Sequence, residues 1–342
     1  MAVSASPIIH GEDDRVEAFA VADPALRELA MARAVAIVPR DAIGEHDAAV
    51  EIDEQSLGQL AQLCPGEPFA EQPAGALCSG LLFDRDLVLT AGHCPFMIAC
   101  DSMQLVIGYH YEDEGLLAPL DSDDVYECGE VLASERSQPS ADERLDYAWI
   151  RLDRDVDDWV GPQIAVRDEA QLLDRNEPLA MFGFPNGTPL KVDQGAAVAD
   201  PRPETLDFFT ATTDSFHGSS GSPIFDAAGA LVGIQNRGAA DFVATDTGCN
   251  ALARVPAGAV AEEQATYGFR ALAGLCEQEP RRRPCPGSDL VHAGTGCTVA
   301  RVGVARASGW AAACMLGLLG AMAGLRRRSR RRSRPGLRSR GR

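Results

Sequence analysis

The stretch CSGLLFDRDLVLTAGHC, residues 78–94, is the clearest indication of the fold. It holds two short apolar runs, Gly80 to Phe83 and Leu87 to Thr90, with charged residues between them. Short apolar runs bounded by turn residues are typical of β-strands. The stretch therefore predicts two strands, with His93 in the loop that follows the second.

The same pattern recurs along the chain. Further runs occur at Leu105 to Tyr109, Tyr147 to Leu152, Ala180 to Phe184, Ile224 to Phe225 and Leu231 to Gln235. Regularly spaced short strands predict a sandwich or barrel, and 33 glycines and 21 prolines favour short elements joined by turns. Upstream, Pro24 to Arg33 reads as a helix, Ala34 to Val38 as a strand, and the region from about Glu45 to Gly75 as loop or insertion.

The charge of the chain is unevenly distributed. The formal net charge is −19, but residues 326–342 contain ten arginines and no acid, so the rest of the chain carries −29. Phosphate binding needs a basic face, so an acidic body argues against nucleic acid as a partner. An acidic surface also favours solubility and attracts basic substrates.

The ten cysteines predict an oxidising compartment. Nine of them precede the C-terminal apolar segment, which is many for a cytosolic enzyme of this size. We therefore expect an exported protein with disulfides. The opening MAVSASPIIHGEDD shows no basic and apolar signal-peptide regions, so we expect the leader to lie upstream or to have been trimmed.

Three polar residues stand at predicted strand boundaries in the order His, Asp, Ser. His93 follows a strand, where a histidine is held by the scaffold yet accessible as a base. Asp146 opens the run DYAWIRL, where a buried carboxylate can accept the imidazole Nδ1 proton. Ser220 lies in the turn HGSSGSP, in which Gly218 allows a sharp bend, so that the amides of residues 218 and 220 can converge on an oxyanion.

TAGHC, DYAWIRL and GSSGSP resemble the three motif blocks of the trypsin-like serine peptidases. The resemblance covers about residues 8–250 and implies an all-β, chymotrypsin-like double six-stranded antiparallel β-barrel. GSSGSP, the GFPNG turn at 183–187 and IIHGEDDR near the start are similar to the bacterial glutamyl endopeptidase (V8-like) branch. An α/β-hydrolase would need a glycine where Ser222 stands and a different order of the triad.

The resemblance also assigns roles. It implies Ser220 as nucleophile, His93 as general base and then acid, Asp146 as the residue that orients His93, and the Gly218 and Ser220 amides as oxyanion hole. It implies peptide-bond hydrolysis through an acyl-enzyme, with protein or peptide substrates and no metal or organic cofactor. It further implies a Cys78–Cys94 disulfide beside the histidine.

The substrate pocket remains open between two preferences. The resemblance places Asp214, Ser215 and Gln235 around the P1 side chain, and an aspartate there pairs with Arg or Lys. In the glutamyl branch a histidine binds the substrate carboxylate, but Gln235 occupies its position in Gly-Ile-Gln. We therefore favour a basic P1 residue slightly over Glu.

The other cysteines give no pairing. Cys64, Cys100, Cys128 and Cys249 allow three connectivities. A zinc site from Cys276, Cys285, His292 and Cys297 is disfavoured, because the set lacks a Cys-x2-Cys pair.

The sequence divides the chain into five parts. Residues 1–33 form a lead or propeptide-like segment, unless they join the barrel. The peptidase domain covers residues 34–275. Residues 276–306 form a linker rich in Cys, Pro, Gly and Arg. Residues 307–325 form an uncharged 19-residue run that can span a bilayer, and the arginines of 326–342 would then stay cytoplasmic. From Cys297 onward the chain resembles the Myxo-CTERM sorting signals, which implies anchoring in the cell envelope, or release to the surface after a sorting protease acts on the tail.

The sequence leaves two alternative functions. One is a catalytically silent protease fold that binds peptides or cell-wall components through its groove, although no member of the triad is missing. The other, a nucleic-acid binder acting through the arginine tail, conflicts with the acidic body and with the membrane span before the tail.

Overall fold

The computed structural model describes residues 9–286 except 47–48, 53–54, 139–142, 158–162 and 256–262. These residues all belong to one unit, residues 1–294. The α-helices are α1 (Pro24–Arg33), α2 (Leu57–Ala61), α3 (Cys94–Met97) and α4 (Gly268–Gln278). Short 3-10 helices lie at Ala18–Ala20, Arg40–Ala42, Cys100–Ser102, Ser122–Asp124 and Pro185–Gly187.

The described strands are short and follow one another closely along the chain. They are β1 (Arg15–Glu17), β2 (Ala34–Pro39), β3 (Ile43–His46), β4 (Ala49–Ile52), β5 (Cys78–Asp84), β6 (Leu87–Thr90), β7 (Met103–Ile107), β8 (Tyr111–Asp113), β9 (Leu116–Leu117), β10 (Leu120–Asp121), β11 (Val125–Arg136), β12 (Asp146–Leu152), β13 (Leu179–Gly183), β14 (Lys191–Asp193), β15 (Val198–Asp200), β16 (Phe208–Ala211), β17 (Pro223–Asp226), β18 (Leu231–Arg237), β19 (Phe242–Ala244), β20 (Asn250–Leu252) and β21 (Glu263–Tyr267).

The first half of the fold is a closed six-stranded barrel. Its order is β11-β12-β6-β5-β2-β7, and β11 pairs with both β12 and β7, which closes the ring. The β5–β6 hairpin places Gly80 opposite Thr90, and β12 places Ala148 opposite Thr90 on the other side. The predicted barrel is therefore confirmed for this half, and it brings the ends of β6 and β12 together.

The second half of the fold is also barrel-like. It is an eight-stranded sheet of order β1-β14-β13-β17-β18-β21-β16-β15. The segment between β14 and β15 bends where the Asp193 carboxylate accepts a hydrogen bond from the Gly195 amide. After the bend the chain returns to the start of β13. The amides of Asn176 and Leu179 donate to the carbonyls of Val198 and Ala196 (2.8 Å each), on either side of a bridge between Pro178 and Ala197. These contacts bring β15 back beside β13.

The N-terminal segment is built into this sheet. β1 pairs with β14 in antiparallel register, with Val16 opposite Val192, and Ile9 forms a bridge with Arg254. Residues 9–33, which the sequence set apart as a lead segment, thus supply an edge strand and helix α1. Helix α4 also runs past residue 275, the predicted end of the domain.

The apolar runs of the sequence all overlap strands, but many elements were not predicted, among them β11 and α2. The long strand β11 lacks an apolar run, because most of its side chains are half-buried or exposed. Helix α2 lies inside the segment interpreted as a loop, and it begins with a capping box formed by Ser56 and Gln59.

Helix α4 closes one side of the first barrel. The indole N–H of Trp149 on β12 donates to the carbonyl of Ala271 on the helix (2.6 Å). Trp149 is fully buried and meets Phe83 edge to face, with ring centroids 5.1 Å apart. Aromatic packing of this kind fixes the start of the strand that carries Asp146.

Four disulfides occur in the described part of the chain. They are Cys64–Cys249, Cys78–Cys94, Cys100–Cys128 and Cys276–Cys285. The second is the pair that the resemblance implied, and the first and third resolve the open connectivity. Four disulfides are typical of an extracellular or exported protein.

The predicted membrane segment and tail, residues 307–342, lie outside the described residues. Among the helices that the structure does describe, none has the length and hydropathy to cross a bilayer.

Candidate active site

The predicted base and its partner meet at the rim of the first barrel. The Asp146 carboxylate oxygens lie 3.2 and 3.1 Å from Nδ1 of His93. The same carboxylate accepts the backbone N–H of His93 at 3.0 Å. Asp146 is 4% exposed, so a buried acid holds the imidazole by two separate contacts and leaves Nε2 for a proton transfer.

The second half of the fold holds Asp146 by hydrogen bonds to its backbone. The hydroxyl of Thr266, on β21, accepts the backbone N–H of Asp146 at 3.0 Å. The Asn236 side chain, on β18, donates to the same hydroxyl at 2.7 Å. The two halves are therefore joined by hydrogen bonds directly under the acid.

Ser220 lies in a tight turn between β16 and β17. Gly218 and Gly221 flank it with φ values of +88° and +90°. A Cβ on Gly218 would lie 2.4 Å from the carbonyl oxygen of Phe184, and one on Gly221 would lie 2.0 Å from that of Ser79. Only glycine fits both the backbone angle and the close approach at these positions.

The first barrel holds this turn through one residue of β5. The Ser79 amide donates to the carbonyl of Ser220 (2.7 Å), and its hydroxyl donates to the carbonyl of Gly218 (2.7 Å). The same hydroxyl accepts the amide of Phe184 (2.9 Å). With these carbonyls engaged, the amides of Gly218 and Ser220 have no acceptor within the described part of the chain, as an oxyanion site requires.

One cleft brings most of the predicted site residues together. It encloses about 890 Å³, and its lining includes His93, Ser215, Gly218, Ser220 and Gln235. Among the described residues no hydrogen bond joins the Ser220 hydroxyl to His93. Such catalytic contacts commonly tighten only when substrate binds.

Neither Asp146, which lies behind His93, nor Asp214 lines the cleft. The position of Asp214 differs from the predicted one. Its carboxylate accepts the backbone amides of His10 and Asp14, both at 2.9 Å. Its own amide donates to the Asp193 carboxylate at 2.9 Å. Burial, together with the nearby charge of Asp193, raises the pKa of Asp214 to about 7. Asp214 therefore braces the N-terminal segment against the turn that carries Ser220.

The neighbouring pocket positions carry no charge. The Gln235 amide donates to the hydroxyl of Ser215 (2.9 Å) and to the carbonyl of Arg237 (2.8 Å). Its oxygen lies 3.3 Å from the hydroxyl of Thr213. These bonds fix Gln235 as a neutral wall of the cleft.

Sequence reasoning missed a second histidine–aspartate pair in the cleft. Nδ1 of His217 lies 2.8 Å from the Asp241 carboxylate, and its backbone amide donates to the same group at 3.1 Å. The hydrogen bond to Asp241 raises the pKa of His217. The His217 side chain is 85% exposed. The sequence feature that could have indicated a role for His217 is its position directly before Gly218.

Asn186 of the GFPNG turn was quoted for its resemblance but was given no role. It lines the cleft. Its Nδ2 atom is buried and has no hydrogen-bond partner among the described residues. A buried donor without an acceptor is costly, and nothing else in the described part of the chain explains this one.

The sulfur and nitrogen atoms near the base do not make a metal site. Ligand atoms of Cys78, His93 and Cys94 lie within 4.8 Å of one another, but the two sulfurs are bonded to each other. Cys276 and Cys285 of the zinc set also form a disulfide. Thiolate ligands are therefore missing from both groups; His292 and Cys297 lie outside the described residues.

Comparison with known proteins bears on the same segment. Residues 78–234 match the family described as "Trypsin-like peptidase domain". This range holds the His93, Asp146 and Ser220 blocks, so the match and the β architecture together support a serine-type peptidase of the trypsin/chymotrypsin-like class. No curated protein matches the chain.

Several solved structures are similar to the chain. They include the VesB protease of Vibrio cholerae (16% identity, TM-score 0.44, 80% of this chain and 68% of that one), a Glu endopeptidase in complex with MPD (15%, 0.45, 80% and 99%), and a scabies mite inactivated protease paralogue (17%, 0.44, 74% and 96%). With every identity below 20% and every TM-score below 0.5, we infer no substrate from these proteins.

Proposed function

We propose that this protein is a serine endopeptidase that acts through a His93, Asp146 and Ser220 triad. The observation that carries the proposal is a single cleft in which the base, held by a buried acid, and the serine turn occur together. The two amides without acceptors beside Ser220 complete the requirements for acyl transfer.

Each residue then has one chemical task. His93 Nε2 takes the proton of the Ser220 hydroxyl while the Ser220 oxygen attacks the scissile carbonyl. Asp146 stabilises the imidazolium that forms. The amides of Gly218 and Ser220 donate to the oxyanion. His93 then protonates the leaving amine, and water releases the acyl group by the same steps.

End-blocked peptides test this reaction and its endopeptidase character. We expect the purified protein to cut N-acetylated, C-amidated peptides internally, as read by mass spectrometry, and the His93→Ala variant to leave them intact. Cutting that persists in His93→Ala would remove His93 from the mechanism. Binding of the peptides by folded protein without any cutting would favour the silent binding module instead.

We further propose that the P1 pocket disfavours basic residues, in place of the slight preference for them that the sequence suggested. What supports this is that the Asp214 carboxylate is engaged with the N-terminal segment and does not line the cleft. The lining contains the Arg237 guanidinium, and its Asp241 carboxylate is turned towards His217. A cation in the lining favours acidic or neutral substrates over basic ones.

Peptides that differ only at P1 test this preference. We expect kcat/KM for Lys to be about tenfold or more below that for Gln, with Glu at least equal to Gln. His217→Asn should reduce any advantage of Glu over Gln while leaving the rate on the Gln peptide similar. The fastest cleavage after Lys would restore the basic preference.

We also propose that the enzyme is exported and held at the cell envelope through residues 307–325, until a sorting protease processes the tail. The support is the disulfide content of the domain and the arginine cluster after the apolar run. In cell fractionation, the full chain should be found with membranes, and a chain ending at 306 should be released. Equal recovery of both forms in the cytoplasm would contradict the proposal.

A further inference from the structure

Two segments that lie far apart in the sequence meet at the edge of the catalytic cleft. One is residues 57–64, which contain helix α2, and the other is the β19–β20 hairpin, residues 242–252. We call these two segments together the strap. The first segment belongs to the half of the chain that supplies His93, and the second follows the nucleophile turn.

The strap is held by several bonds. The Cys64–Cys249 disulfide joins its two segments across a sequence separation of 185 residues. The Cys64 amide donates to the carbonyl of Asn250 (2.8 Å), and the Asn250 amide donates to that of Gln62 (2.9 Å). The side-chain amide of Asn250 donates to the carbonyl of Ala61 (2.7 Å). Such a set of bonds makes one continuous wall from two segments.

This wall faces the catalytic residues. From the strap, the lining of the cleft includes Leu57, Leu60, Ala61, Gln62, Phe242 and Asn250. The same lining contains His93 and Ser220. A peptide bound for attack by Ser220 therefore lies in a cleft that the strap helps to form.

The cleft also collects exposed apolar side chains. Seven large hydrophobic residues are exposed in the described part of the chain, and three of them line this cleft: Leu60 (47%), Leu77 (44%) and Met97 (55%). A body with this much negative charge keeps few such groups in water, and exposed apolar groups that gather in a cleft mark a binding surface. They would be covered when substrate binds.

We propose that the strap is a specificity-determining wall, at which Leu60 binds a bulky apolar side chain of the peptide substrate. This inference rests on the proposed peptidase function. The occupant is a peptide substrate because the apolar surface is continuous with the site of attack. Leu60 and Ser220 lie far apart in the sequence. The Cys64–Cys249 disulfide holds the segment of Leu60 at a fixed place relative to Ser220.

A library of end-blocked peptides tests the proposal. Mass spectrometry of the products locates each scissile bond and the residues that flank it. We expect Leu, Ile, Met or Phe to be enriched at one position near the cut, and we expect this enrichment to fall about tenfold in Leu60→Ala, since small changes in an apolar pocket alter discrimination by that order. Leu172, also 47% exposed but outside the cleft, gives the matched control, and Leu172→Ala should leave the profile unchanged.

The disulfide is tested by the paired variant Cys64→Ser/Cys249→Ser. Its control is Cys100→Ser/Cys128→Ser, which removes a disulfide of the first barrel. We expect only the first variant to lose the apolar preference. Should it fail to fold, Leu60→Ala carries the test alone.

Reaction of Ser220 with a small fluorophosphonate separates this proposal from the proposed function, because the probe needs no contact with the strap. Wild-type and Leu60→Ala proteins should both be labelled at Ser220. A library profile without apolar enrichment, or with enrichment unchanged in Leu60→Ala, would overturn the strap proposal and leave the peptidase standing. If neither cleavage nor labelling occurs, the proposed function itself fails.

Discussion

The two halves of the fold hold their catalytic residues in different ways. His93 and Asp146 come from adjacent strand ends of a closed barrel, where β6 and β12 are paired over four residues. Ser220 lies on a turn of the eight-stranded sheet, and its backbone is held largely by partners in other parts of the chain. These include Ser79 from the first barrel and, behind the turn, the amides of His10 and Asp14 on Asp214.

This contrast between the two halves shows which part of the site is fixed by local structure. A strand ladder places the base and the acid together as soon as the barrel forms. The nucleophile turn needs glycine geometry and contacts across the whole sequence. Loss of the base or the acid should therefore act on the chemistry alone, whereas loss of the contacts of Asp214 behind the nucleophile turn should alter positioning, pH dependence and stability.

Asp146→Asn should have the largest effect among changes that keep the shape of the site. The amide cannot stabilise the imidazolium and favours the wrong tautomer of His93, so we expect kcat to fall by about 10⁴-fold. Steady-state kinetics on an end-blocked peptide measures it, with an unchanged thermal midpoint as the control for folding. A loss below tenfold would show that Asp146 is not the partner of the base.

Gly218→Ala should be the next largest. The added Cβ would lie 2.4 Å from the carbonyl of Phe184 and would displace the Gly218 amide. Loss of one oxyanion donor costs about 10²–10³-fold in kcat. Gly229→Ala is the matched control, because Gly229 has a similar φ of +77° but nothing within 4 Å of an added Cβ. Equal activity of the two variants would contradict an oxyanion role for Gly218.

The smallest expected effect concerns pH and stability in the second half. Burial raises the pKa of Asp193 to about 6, and burial with the neighbouring Asp193 charge raises that of Asp214 to about 7. A carboxyl whose pKa is raised by folding binds protons more tightly in the folded state. The stability it contributes is therefore fully present at low pH and is lost as the pH rises through the folded pKa.

The same direction applies to the histidine beside this pair. The hydrogen bond and charge of Glu263 raise the pKa of His10 against the effect of burial, so its contribution also fades as pH rises. We expect the thermal midpoint to fall between about pH 5 and pH 8, and to fall less in Asp214→Asn, as measured by calorimetry at several pH values. A midpoint that rises over this range would contradict the account of the brace.

The sequence predicted the first half better than the second, for physical reasons. The buried strands β5, β6 and β12 read as apolar runs, and the motif residues sit at their ends. The second sheet includes a bend at Gly195 and the edge strand β1, and neither leaves an apolar pattern. The role of Asp214 was also beyond sequence reasoning, since two amides 200 or more residues away determine where its carboxylate points.

Labelling with a fluorophosphonate shows whether His93, on the first barrel, activates the serine that the second half holds. Wild-type protein with intact disulfides should be labelled at Ser220, and Ser220→Ala should not be labelled. Ser222→Ala is the matched control, because the Ser222 hydroxyl is buried without a partner among the described residues, and it should be labelled like wild type. Folded wild-type protein that resists the probe, or a Ser220→Ala variant that still reacts, would contradict the account.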